Sequence, residues 1–179
     1  MKARRVTATR DAGGGSSFVA DDVLESIGPA LFGGAEILEL WGADAALALP
    51  DPAPAASWSG YFPRSGGVRV GIWILPPASR ATERPADLES AAAEAEAAVP
   101  GITDVVATET GHHHAPETVD LAYVLEGTVT VQLEGGAEET VGAGGLIVQH
   151  GSNRTWINRD SDAEAQLLTI FLGAEEEDA

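Results

Sequence analysis

The chain has no cysteine, which removes disulfides, thiolate metal sites and cysteine nucleophiles together. Lysine is almost missing: Lys2 is the single one, and arginines complete a basic total of 10 against 28 acidic residues. The formal net charge of −18 has the wrong sign for neutralising phosphates, so nucleic-acid binding is excluded as a function class. A solvated acidic surface is the simple explanation; adaptation to high salt, where screening relieves self-repulsion, is the alternative. No uninterrupted apolar run of about 18 residues occurs, so no membrane span is expected. Arg4 and Arg5 are followed by Asp11 and Gly13 to Gly15 rather than by an apolar stretch. That argues against an ordinary signal peptide and leaves a cytoplasmic protein as the expectation. The three glycines are no phosphate loop either, because no lysine and no strand-turn-helix pattern surround them.

What is present reads as mainly β. The 179 residues, 44% of them apolar, suffice for one domain with a substantial core, or a barrel with an attached extension. Residues 1 to 10 alternate loosely around Val6, and Phe18 to Ala20 is a short strand candidate. Asp21 to Ile27 reads as a brief helix or turn, and Ala35 to Trp41 as a strand with one face on the core. Pro50 to Ser57 is a proline-rich connection that neither a helix nor a central strand tolerates. Val68 to Leu75 is a β-branched and aromatic strand ended by Pro76 and Pro77. The one strong helix, about 86–99, is nearly all Ala and Glu and is closed by Pro100 and Gly101. Beyond residue 102 short strands follow at 118–125, 128–133, 138–141, 146–149, 155–158 and 166–172, separated by glycine turns. That spacing predicts a sandwich or small barrel. The expected division is an extension over 1–100 that packs on a barrel over 101–174, with an acidic tail at 175–179.

Histidine is missing from the first 111 residues, and all four histidines fall between 112 and 150. His112 and His114 are two apart, so in an extended segment they share a face, while His113 points away. Asp120 follows six residues later at the start of an apolar run. Two imidazoles and a carboxylate brought to one point make a divalent-metal site.

The order of these residues resembles the cupin superfamily, in particular small bacterial barrels with an N-terminal extension. His112-x-His114, Asp120 and the turn at Gly127 are similar to its first signature. Gln149-x-Gly151, Arg154 and Asn158 match its second in part. The resemblance implies a double-stranded β-helix, a jelly-roll-like barrel, often dimeric, with ligand and metal in its mouth. The departures are Asp120 in place of glutamate and at longer spacing, Gln149 in place of proline, and Arg154 at the position of the last metal histidine.

Taken together, His112, His114 and Asp120 are the expected metal ligands, in an arrangement that suits Fe(II) and is open to Zn(II), Mn(II) or Ni(II). Arg154 is the expected anchor for an acidic group on a substrate, since its planar fork grips a carboxylate and cannot bind a metal. Glu117 and His150 are candidates for moving protons. Trp156 and Asn158 share the face of Arg154 by alternation, and Ala122 and Val124 share that of Asp120, giving a largely apolar pocket wall. An enzyme acting on a small organic acid or natural-product intermediate is the first expectation, whether oxygenase, decarboxylase, isomerase or lyase. The alternative is a metal-free small-molecule-binding or sensory barrel, in which Arg154 pairs with Asp120 and repels a cation. A homodimer is expected, because the strands around Val6, Phe18 and Ile37 have no obvious partner within a compact barrel.

Overall fold

The computed structural model describes residues 1–10, 13–49, 58–83, 85–103 and 117–175. The proline-rich connection and the adjacent His112, His113 and His114 lie outside them. Ten strands and one α-helix are defined among the described residues. In chain order the strands are β1 (Lys2–Arg10), β2 (Ser16–Glu25), β3 (Glu36–Ala43), β4 (Val68–Leu75), β5 (Thr118–Glu126), β6 (Thr128–Leu133), β7 (Glu138–Gly142), β8 (Leu146–His150), β9 (Arg154–Ile157) and β10 (Ala165–Gly173); helix α1 (Leu88–Ala98) lies between β4 and β5. None of the described helices is long and apolar enough to cross a membrane.

All strand pairings are antiparallel. One sheet runs β3-β4-β10-β5-β8 and a second runs β7-β6-β9. Alternation fixes which face of each strand goes inward. On β5, Thr118, Asp120, Ala122 and Val124 are buried; on β10, Ala165, Leu167, Thr169 and Phe171 are buried. Ala122, Val124, Ala165, Leu167 and Phe171 meet Val129 and Val131 of β6 in one apolar cluster, so the two sheets close over a shared core. Gly127 turns the chain from β5 to β6 with φ +72°, where an added Cβ would meet the Glu164 carbonyl oxygen at 2.6 Å. Only glycine fits that turn.

The described residues before β5 are part of this arrangement. They supply β3 and β4 to the same sheet as β10, β5 and β8. Ile37, expected to lack a partner, is instead buried in the main core, because β3 pairs along its length with β4. The segment Asp21 to Ile27, expected as helix or turn, is largely strand: β2 continues to Glu25. Cross-strand charge pairs overcome the low β propensity of its aspartates. Arg4 grips Asp21 through two bonds of 2.7 Å. Arg5 pairs with Asp22 and also donates to the Leu40 carbonyl of β3 at 2.8 Å. The inner face of this hairpin, with Ala3 and Leu24, covers Leu38, Ile72 and Ile74 on the outside of the five-stranded sheet. Its outer face leaves Val6, Phe18 and Val23 exposed.

Helix α1 begins where Asp87 accepts from the backbone N–H of Ser90 at 3.0 Å, satisfying one of the free donors of the first turn. Ala91, Ala95 and the following Val99 are buried against the core. At the other end Glu96 accepts from Gly101 N–H at 2.6 Å and from the Thr103 hydroxyl at 2.6 Å. Those bonds hold its carboxyl below the ordinary range, the Thr103 hydroxyl contributing most.

Candidate functional site

Two strands from opposite sheets bring the site together. β5 presents Asp120 inward, and β9 presents Arg154 inward across the core. They form an ion pair in which the two side chains keep only 6% and 3% of their surface. The second Asp120 oxygen accepts from the Thr118 hydroxyl at 2.6 Å. Burial pushes the Asp120 carboxyl up from its ordinary value, against the opposing pulls of Arg154 and Thr118. Burial likewise pushes the Arg154 guanidinium down, opposed by Asp120 and Tyr61. Both directions have the same physical origin: each charge has lost its water and has one main partner in return.

Around that pair the surroundings are aromatic. The Arg154 guanidinium lies over the Trp156 ring, 4.7 Å from its centre, in a cation–π contact. Trp156 meets Trp73 of β4 edge to face, centres 6.0 Å apart. Trp73 donates its indole N–H to the Tyr61 hydroxyl at 2.6 Å. Tyr61 is buried, and burial raises its phenol well above the ordinary value. Phe62 and Phe171 complete the wall, with ring centres 5.1 Å apart. Between these rings and Arg154 lies an inner cavity of about 40 Å³. Trp73, Leu75 and Trp156 also form one side of an outer groove of about 330 Å³ beside the 3-10 turn at Ala30–Phe32. That volume falls in the range of small-molecule sites.

The sequence-predicted residues sort as follows. Asp120, Arg154 and Trp156 come together. Ala122 and Val124 are buried in the core on the Asp120 face. Asn158 stands just past the end of β9. Its amide donates to the carbonyls of Ala163 at 2.8 Å and Leu75 at 3.3 Å, and its oxygen accepts from Asp160 N–H at 3.0 Å, so the side chain ties a turn together. Glu117 is exposed beside β5. His150 is exposed at the end of β8 and lines a separate groove with Gln149 and Ser152. His112 and His114 lie outside the described residues. Tyr61 and Phe62 went unnoticed in the sequence, because they sit in an irregular segment with no periodicity. Trp73 and Phe171 had a usable signal: strand alternation puts Trp73 on the side of Leu75, and Phe171 on that of Leu167.

Three buried side-chain atoms have no hydrogen-bond partner among the described residues: Nε of Arg154, Nε1 of Trp156 and Oε1 of Gln149. Two of the three are donors, on Arg154 and Trp156, residues that also line the inner cavity.

No protein-family model matches the chain. Among curated proteins, a stretch of 61 residues is 36% identical to oryzines biosynthesis cluster protein J of Aspergillus oryzae, covering 34% of each chain. A 61-residue stretch is 31% identical to phomopsin biosynthesis cluster protein D of Diaporthe leptostromiformis, covering 34% of this chain and 32% of the other. The match therefore spans about a third of the length of these curated relatives. Among solved structures, the cupin domain of Schizosaccharomyces pombe Cnp3 is similar at 10% identity and a TM-score of 0.48, over 95% of this chain and 87% of that one. A cupin 2 conserved barrel domain protein of Salinispora arenicola is similar at 11% identity and a TM-score of 0.41, over 80% of each. The chain's own strand order gives a five-stranded and a three-stranded antiparallel sheet with the β1–β2 hairpin and one α-helix, and the solved structures similar to it include named cupin domains.

Proposed function

We propose that this barrel binds a small, largely apolar molecule at its aromatic mouth, with Arg154 and Trp156 as its polar recognition point. The observation that carries this reading is a guanidinium buried in apolar surroundings with its Nε–H unanswered. Folded proteins leave few such donors without an acceptor. The adjoining groove supplies room and apolar surface for the rest of the guest. The partial likeness to fungal proteins named for biosynthesis clusters supports a natural-product intermediate as that guest.

The metal-dependent reading has to draw on Asp120, and Asp120 does not fit it here. One carboxylate oxygen holds Thr118 and the other holds Arg154, whose positive charge opposes a cation beside it. Metal analysis of untagged protein decides between the readings. Stoichiometric iron, zinc, manganese or nickel that is lost on His112→Ala with His114→Ala would replace the binding reading with the metal enzyme. Protein that binds small guests without such metal supports it.

The homodimer is proposed on the exposed Val6, Phe18 and Val23 of the N-terminal hairpin. Light scattering at micromolar concentration should give twice the mass of 18.4 kDa; the mass of a single chain would reject it.

A further inference from the structure

The outer face of the five-stranded sheet is covered on one half and bare on the other. Strand register runs one row of outward side chains across it: Leu38, Ile72, Leu168, Tyr123 and Leu146. Leu38 is fully buried, because Ala3 and Leu24 of the β1–β2 hairpin lie over its cluster. At the far end of the same row Tyr123 is 42% and Leu146 54% exposed. The neighbouring row ends likewise, in Leu121 and the exposed Val148. The chain has 28 acidic residues, yet no outward side chain of β8, or of β5 from Val119 to Leu125, is acidic. A contiguous apolar face of this kind marks an interaction surface.

The hairpin indicates what covers that surface. Its ties to the body lie at its open end: Ala3 and Leu24 pack on the sheet, Arg5 donates to the Leu40 carbonyl, and the following Ile27 bridges to Ile37. Further along, Val6 and Phe18 are exposed, Phe18 at 79%. A two-stranded ribbon is marginally stable without a surface to lie on. Residues 1–25 hold four basic and four acidic side chains, so the net charge of −18 lies on the remainder of the chain. The hairpin is therefore a segment that meets another copy's acidic body without adding to the repulsion.

Shape points the same way. The hairpin layer stands above the bare half of the sheet by about 10 Å, the usual separation of packed sheets. Turning a second copy about a two-fold axis sets its hairpin into the bare half of the first, and its own bare half receives the first copy's hairpin. Both hairpins then lie side by side between the two five-stranded sheets, in a closed and self-complementary contact. We propose that the bare face of β5 and β8 seats the hairpin of a second copy of this chain, with Val6, Phe18 and Val23 of one copy against Tyr123, Leu146 and Val148 of the other. This rests on the homodimer proposed above and supplies the surface that receives its hairpin.

Sedimentation velocity of the full chain tests it. Leu146→Glu with Val148→Glu puts two carboxylates on β8, the sheet edge farthest from the chain's own hairpin. Far-UV circular dichroism verifies the fold, and Val148→Glu alone takes over if the pair misfolds. Enclosing those charges in the contact should raise the dissociation constant about a hundredfold, leaving single chains at micromolar concentration. Phe18→Lys should also give single chains. Mixing the two variants should restore the dimer, because the carboxylates of one then face the lysine of the other while the second contact keeps its native residues. Either variant dimerising as tightly as wild type, or a mixture that stays monomeric, overturns the inference and leaves the homodimer standing. Wild type at the mass of a single chain removes both.

Discussion

Replacing Arg154 by methionine is the most informative single change to this protein. The substitution keeps an unbranched apolar stem and removes the guanidinium from beside the buried Asp120 carboxylate, whose remaining partner among the described residues is the Thr118 hydroxyl. Breaking a buried pair from one side typically costs about 3–5 kcal/mol, because an uncompensated charge stays in the interior. Against an expected total stability of roughly 5–15 kcal/mol, that is a large fraction. The loss must also depend on pH. Burial already raises the Asp120 carboxyl, and among the described residues Arg154 is the opposite charge that restrains it. A carboxyl whose folded value lies above its unfolded value stabilises the fold below the unfolded value, and that contribution is lost as pH rises through the folded one. The Arg154→Met deficit should therefore be smaller at pH 5 than at pH 8. Adding Asp120→Leu should recover most of the deficit, since a pair of apolar replacements is often neutral or better. Urea unfolding followed by circular dichroism measures all three quantities, with wild type at each pH as the reference. A deficit below about 1 kcal/mol, or one equal at both pH values, would refute the claim that this pair is buried and mutually dependent.

Two further outcomes follow from the fold. Gly127→Ala should destabilise by about 3 kcal/mol or more, combining a left-handed backbone with overpacking against Glu164 and Ala165, as read from chemical denaturation; a change within about 0.5 kcal/mol would reject the tight turn. Glu96→Gln should weaken the end of α1 by about 1 kcal/mol near neutral pH. Because bonding holds the Glu96 carboxyl low, its contribution is present above the unfolded value and lost as pH falls through the folded one. The difference between wild type and variant should thus shrink as pH falls below the ordinary glutamate range, and a constant difference would contradict the role.

The strands from Thr118 to Gly173 were legible in the sequence because alternation and glycine turns are local signals, and β4 was legible for the same reason. The continuation of β2 was not. Asp21 and Asp22 argue against strand when read alone, and only Arg4 and Arg5 on the neighbouring strand make them suitable there. The pairing of Arg154 with Asp120 was readable as one of two alternatives, since each occupied a position the fold would turn inward. Tyr61 and Phe62 were hidden because a loop's direction is set by distant packing, here Trp73 and Phe171. Asn158 was assigned to a strand that ends one residue earlier; its amide holds the Ala163 and Leu75 carbonyls, and the residue lines the outer groove.

The position of β10, flanked by β4 on one side and β5 on the other, has a practical consequence. One seam of backbone bonds joins an early segment to the last strand, and another joins that strand to the middle of the chain. Neither half can be amputated without baring a raw edge and stripping one side from the cavity. Two fragments produced separately are suited to complement each other, so a binding signal would report their reunion.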